Sequence, residues 1–180
     1  MSADPAIGDV LIDEAHLQRR VRELGRQISE DYAGRRPVLV GILRGSIVFL
    51  ADLMRAISIP VTLDLLAISS YVGRDSSGVV RLLKDLDHSI DGKDVLLVED
   101  VIDTGLTLSY VLRVLRTRNP ASLEVCTLLN RPRRRLVDQP LKYVGFDVPD
   151  AFVIGYGLDF NQRYRNLDHI ALLNTREASP

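Results

Sequence analysis

The run from Val95 to Leu108, VLLVEDVIDTGLTL, limits what this chain can fold into more than any other stretch. Residues 95–98 are four consecutive apolar side chains and read as a buried strand. Glu99 and Asp100 follow at its carboxyl end, and Asp103-Thr104-Gly105-Leu106-Thr107 then opens a helix. In open α/β sheets, ligands bind beyond the carboxyl ends of the strands. A helix N-terminus with free N–H groups and small hydroxyl residues accepts anions. One short run therefore offers a phosphate cradle with two or three acids just upstream. A ligand with a phosphate at one end and sugar hydroxyls at the other suits both halves. Strands that end in acids and a Thr-Gly turn occur in many α/β proteins, so the rest of the chain must decide.

The 180 residues fit one domain, and 46% hydrophobic with 26% charged content is ordinary for a soluble globular protein. A net charge of −1 gives no reason to expect a nucleic-acid or membrane partner. The single cysteine, Cys126, lies in an apolar run and reads as a buried thiol in a reducing compartment. No apolar stretch approaches the ~20 residues of a membrane span. Residues 1–9 lack the basic region and apolar core of a signal peptide, so a cytoplasmic location is expected.

Leu17, Val21, Leu24 and Ile28 recur at helical spacing within residues 13–32, with Asp13 or a neighbour as cap and Gly34 and Pro37 as terminators. Residues 37–43 read as a buried strand, Arg44-Gly45-Ser46 as a turn, and residues 47–57 as a helix. Residues 59–70 hold a second β-rich run. Residues 71–92 are hydrophilic, with a strand expected at 79–86; by themselves they read as surface padding rather than a lid. Leu108, Val111, Leu112 and Leu115 mark a helix that stops at Asn119-Pro120. Residues 123–129 are the next strand. The basic turn 131–135 holds four arginines, most of them read as solvated. Residues 142–146 and 151–156 are short strand candidates, and residues 169–173 an edge strand. Strands alternating with helices imply an α/β fold with a central parallel sheet covered on both faces.

Glu99-Asp100-Val101-Ile102-Asp103-Thr104-Gly105-Leu106-Thr107 resembles the phosphoribosyl-pyrophosphate motif of type I phosphoribosyltransferases, in the form closest to the hypoxanthine(-guanine) branch. Leu43-Arg44-Gly45-Ser46 resembles that family's pyrophosphate loop, where Leu-Lys-Gly-Ser is usual and the bond entering the basic residue can be cis. Ser70-Tyr71 resembles the start of the family's mobile loop, which turns the padding reading of residues 71–83 into a lid. Residues 149–161, PDAFVIGYGLDFN, resemble its C-terminal signature. The resemblance implies one phosphoribosyltransferase domain over residues 1–180. Its core covers about 37–130, a small hood about 1–12 and 131–180, and a mobile loop about 70–84.

The family match implies a Mg²⁺-dependent purine-salvage transferase (EC 2.4.2.8). It would join hypoxanthine or guanine to 5-phosphoribosyl 1-pyrophosphate, giving IMP or GMP and pyrophosphate. By the same match, residues Asp103, Thr104, Gly105, Leu106 and Thr107 hold the 5′-phosphate, and Glu99 and Asp100 the ribose hydroxyls. Leu43, Arg44, Gly45 and Arg165 meet pyrophosphate. Phe152 stacks on the purine, Val153 reads it through backbone atoms, and Asp159 lies beside it. Glu99, Asp100 and Asp159 serve the metal, and Asp103 is the general base at N7. Arg131 stands where the family usually has a lysine for the 6-oxo group. It still donates, with a different geometry, so a 6-oxopurine stays favoured while the preference among hypoxanthine, guanine and xanthine is open. The family commonly forms homodimers or homotetramers. Two rivals are a nucleic-acid-binding regulator on the same fold, which only the arginine cluster favours, and a uracil-type relative, which the Phe152-Val153 pair disfavours. His16, His88, His169 and Cys126 form no triad or metal spacing.

Overall fold

The computed structural model describes residues 4–70, 80–175 and 177. Its main sheet has six strands in the order β4-β3-β2-β5-β6-β7. They are β2 (Val38–Leu43), β3 (Thr62–Ser70), β4 (Val80–Lys84), β5 (Asp94–Ile102), β6 (Ser122–Asn130) and β7 (Tyr143–Asp147). All neighbours run parallel except β3 and β4, which are antiparallel. The expected parallel sheet is thus a mixed one. Only residues 71–79 separate β3 from β4, too few for the crossover that a parallel return needs.

Alternating side chains of the central strands feed two cores. Leu39, Leu96, Val98, Cys126 and Leu128 pack with helices α1 (Glu14–Asp31) and α2 (Ile47–Ala56). Val38, Val40, Val95, Leu97 and Val125 pack with α3 (Leu106–Arg116) on the other face. Helix α1 starts where the Asp13 carboxylate accepts from His16 N–H. Cys126 is fully buried, and burial pushes its thiol pKa up, which leaves it inert. Among the described residues no helix is long and apolar enough to cross a membrane.

The order places β2 beside β5. From β2 the chain turns through α2 toward β3; from β5 it turns through α3 toward β6, on the opposite side and the opposite face. Beyond the ends of β2 and β5 a crevice opens, as it does wherever strand order reverses.

A second sheet joins β1 (Ile7–Ile12), β9 (Ile170–Leu173) and β8 (Val153–Ile154), all antiparallel, in the order β1-β9-β8. Residues 170–173 are therefore the middle strand and not an edge. Their partner β1 carries no clean alternation: Val10 is exposed, and the pairing is interrupted at irregularities on both sides of it. Tyr156, just after β8, donates to Asp52 of α2 at 2.7 Å, which fastens this layer to the main body.

One buried acid serves the scaffold alone. Asp64 on β3 accepts from the N–H groups of Leu65, Asp87 and His88 at 2.8–3.1 Å. Burial pushes its pKa up, but those N–H groups and Lys84 outweigh this and hold it below 3.8. Asp64→Ala leaves the turn amides unpaired and should cost about 1–3 kcal/mol by urea unfolding. A carboxyl held low stabilises above its unfolded pKa and loses that effect as pH falls through the folded one, so the gap should close in acid.

Candidate active site

The crevice begins as a cavity of about 240 Å³ lined by Leu43 at the end of β2 and Gly45 after it, Glu99 to Ile102 of β5, Asp103, Thr104 and Gly105 of the following turn, and Thr107 in the first turn of α3. Sequence spacing puts the acids after a four-residue strand. In the structure β5 continues through them, because Glu99, Val101 and Ile102 stay paired with Thr127, Leu129 and Asn130 of β6. Continuous pairing gives the two acids a rigid backbone.

Each loop has a local reason for its shape. The Leu43–Arg44 peptide bond is cis. A Cβ on Gly45 would lie 1.7 Å from the Asp100 Oδ2 atom, so only glycine lets this backbone rest on the carboxylate. Ser46, fully buried, donates to Ile42 O at 2.5 Å. Gly105 caps α3 with φ +82, and a Cβ there would meet Val137 O at 2.2 Å. Thr104 O accepts from Leu136 and Val137 N–H. The turn is therefore pinned from behind, and the N–H groups of the first turn of α3 have no partner within the helix.

Glu99 is only 7% exposed, and Asp100 is partly buried. Burial first, and the Asp100 charge second, push Glu99 well above the ordinary carboxylate range. Burial also raises Asp100, against the pull of the Val101 N–H and the Arg165 charge. Two acids held close together out of water call for donors or a cation. Among the described residues no three His, Cys, Asp or Glu side chains gather into a metal cage. Mg²⁺ does not need one, since it is commonly held by one or two carboxylates, ligand oxygens and water.

A second cavity of about 320 Å³ shares Gly45, Asp100 and Val101 with the first and adds Arg44, Arg131, Phe152, Val153, Leu158, Asp159 and Arg165. Phe152 is 48% exposed, its ring edge-on to Phe160 at 5.7 Å. Val153 lies in β8 with its side chain buried. Arg131 is 9% exposed; it donates to Ala151 O at 2.7 Å, and its Nη1 stands 3.7 Å from Asp103. Its buried Nε has no hydrogen bond, and neither has the buried Oδ1 of Asp103, although Arg134 Nε lies 3.0 Å from that oxygen. Those two atoms make an ion pair whose N–H is not aimed along a hydrogen bond.

Arg165 is braced by Gly157 O and Asp159 Oδ1, both at 2.7 Å. Gln162, which sequence reasoning missed, links the cations: its Oε1 accepts from Arg44 at 3.2 Å and Arg165 at 3.3 Å, while its N–H donates to Asp159 at 2.9 Å. The fold thus gathers Glu99, Asp100, Asp103, Thr104, Gly105 and Thr107 around one cavity and Arg44, Arg131, Phe152, Val153, Asp159 and Arg165 around the next. Leu106 turns an exposed side chain outward at the start of α3. Ser70 ends β3; Tyr71 and residues 71–79 of the expected mobile loop lie outside the described residues. Phe160 and Arg134 were also missed, and only their positions in the signature and in the arginine cluster hinted at them.

Residues 11–161 match the model of the phosphoribosyl transferase domain. A hypoxanthine phosphoribosyltransferase of Salmonella typhimurium is 52% identical over 165 residues, 90% of this chain and 93% of that protein. The chain belongs to the hypoxanthine phosphoribosyltransferase family. The crystal structure of a hypoxanthine phosphoribosyltransferase from Staphylococcus aureus superposes with a TM-score of 0.92 at 44% identity, covering 97% of this chain and 96% of that one. The Trypanosoma cruzi hypoxanthine phosphoribosyltransferase in complex with the product IMP gives 0.90 at 40% identity, covering 98% and 99%.

The buried acid of this family member has a measurable signature. Between 4.5 and the raised pKa of Glu99 the native state holds a proton that the unfolded chain has lost. The stability tied to that group is therefore full below 4.5 and disappears as pH rises through the native value. Glu99→Gln should melt higher than the parent in ligand-free protein near pH 8, and the gap should shrink toward pH 4.5. A gap independent of pH would contradict the burial account.

Proposed function

We propose that this member of the family transfers the phosphoribosyl group of 5-phosphoribosyl 1-pyrophosphate to hypoxanthine or guanine, forming IMP or GMP and releasing pyrophosphate. The observation that carries this reading is the joining of the two cavities at Gly45, Asp100 and Val101. One is backed by a helix N-terminus and two acids; the other holds cations and a half-exposed aromatic ring. A molecule with a phosphate, a sugar and a flat base can occupy both in that order.

In this reading the amides and hydroxyls of residues 103–107 receive the 5′-phosphate, and Glu99 and Asp100 accept from the ribose hydroxyls. Arg44 and Arg165 face the leaving pyrophosphate, held there by Gln162 and Asp159. Fixed cations at the place where negative charge builds up lower the barrier without reorganising. Phe152 stacks on the base. The N7–H and 6-oxo groups of a purine present a donor beside an acceptor, and the Asp103 carboxylate and Arg131 are their complements. The C1–oxygen bond to pyrophosphate breaks, the bond from C1 to the base nitrogen forms, and the N7 proton passes to Asp103.

Glu99 and Asp100 are the groups to hold Mg²⁺; Asp159 would first have to exchange its contact with Arg165. When bound, the ion would neutralise the charge that gathers on the leaving pyrophosphate. A cytoplasmic enzyme assembled as a homodimer or homotetramer fits the same reading.

A spectrophotometric panel of hypoxanthine, guanine, xanthine, adenine and uracil with phosphoribosyl pyrophosphate and Mg²⁺ tests it. Turnover is expected with 6-oxopurines; turnover with uracil or adenine alone would overturn it. Arg131→Ala should raise the KM for the base by about tenfold or more, with the KM for phosphoribosyl pyrophosphate nearly unchanged. The reverse pattern would remove Arg131 from the base pocket.

A further inference from the structure

The arginine cluster that the sequence leaves mostly as a solvated face contains a second side chain, besides Arg131, that contacts Asp103. Arg134 ends the short 3-10 turn Pro132–Arg134. Its Nε stands 3.0 Å from Asp103 Oδ1, and its Nη1 stands 3.4 Å from Asp150 Oδ1. Arg134 is about half exposed and Asp103 one-third exposed, while the Oδ1 atom between them is itself buried. On the far side Arg131 approaches the other oxygen of the same carboxylate at 3.7 Å. Two guanidinium groups thus flank Asp103, one per oxygen. Arg131 is committed elsewhere, through its bond to Ala151 O. Arg134 is the nearer of the two, and it alone also reaches Asp150.

From this geometry we propose that Arg134 is a positioning residue: it holds the Asp103 carboxylate at the angle needed for proton transfer and ties it to the segment that carries Phe152. The proposal rests on the reading of Asp103 as the general base. Asp150 lies two residues before Phe152, and the backbone oxygen between them, on Ala151, is the acceptor for Arg131. Arg131 and Arg134 therefore strap the turn after β5 to the 150–152 segment by two separate contacts. The Arg134 contact with Oδ1 is an ion pair and not an aligned hydrogen bond, since Oδ1 accepts none. Arg134 and Arg131 thus stand at opposite oxygens of one carboxylate, and together they fix the plane in which it meets the base.

The test is a kinetic double-mutant cycle on the full chain with hypoxanthine, phosphoribosyl pyrophosphate and Mg²⁺. Arg134→Ala should lower kcat by about tenfold, a part of the 10²–10⁴ usual for general base catalysis, and leave both KM values within about twofold. Arg134→Lys, which keeps the charge, should recover most of the rate. In the Asp103→Asn background, Arg134→Ala should slow turnover no further. Equal slowing in both backgrounds, an unchanged kcat, or an effect confined to the KM for phosphoribosyl pyrophosphate would overturn the positioning role. If Asp103→Asn alone left kcat unchanged, the general-base reading itself would fail, a separate outcome. Arg134→Gln, which keeps the stem, repeats the cycle should the alanine variant melt early.

Discussion

The site depends on two adjacent carboxyl groups kept largely out of water at the end of the central strand. Continuous pairing of β5 with β6 carries Glu99 and Asp100 past the point where an ordinary strand would release them into solvent. Burial then makes both harder to ionise, and the Asp100 charge adds to the cost at Glu99 as the Asp159 charge does at Asp100. The protein gives Asp100 limited relief through the Val101 N–H and the Arg165 charge. Such a pair is a poor choice for stability alone and a good one for capturing sugar hydroxyls or a cation, so its presence in the core reads as a binding function. Gly45 completes the arrangement, since its backbone occupies the space that any side chain would take from Asp100.

Around this pair the fold divides its labour. The reversal of strand order between β2 and β5 sends α2 and α3 to opposite faces and opens the crevice. The loop after β2 and the turn after β5 meet across it. The smaller sheet brings Phe152, Asp159 and Arg165 to the rim. Gly157 packs tightly against the loop after β2, where a Cβ would lie 2.2 Å from Gly45 O. Gln162 and Arg134 act as cross-links on the two sides: one joins the cations facing the pyrophosphate end, the other braces the turn facing the base.

Much of this was legible in the sequence because it depends on periodicity or on contiguous motifs. The apolar runs at 38–43, 95–98 and 123–129 gave the parallel core, and the helical spacing of Leu17, Val21, Leu24 and Ile28 gave α1. The acids and the Asp103–Thr107 turn stand together in the chain as they do in space. What was not legible joins distant segments. Strand β1 pairs with β9 across more than 150 residues, with irregular register and an exposed Val10. Nothing local could assign residues 170–173 a central position. Gln162 contacts Arg44 from 118 residues away, and its significance appears only once both loops are folded. The antiparallel β4 was legible as a strand, but its direction followed from the short connection and not from its composition.

The central claim is that the two cavities receive one nucleotide in a fixed direction. A crystal structure of the chain with IMP measures this most directly. The account predicts the phosphoryl group against the amides of residues 103–107, the ribose hydroxyls toward Glu99 and Asp100, and the purine on Phe152 with its 6-oxo group toward Arg131. A phosphoryl group seated instead beside Arg44 and Arg165, with the base over the start of α3, would contradict it.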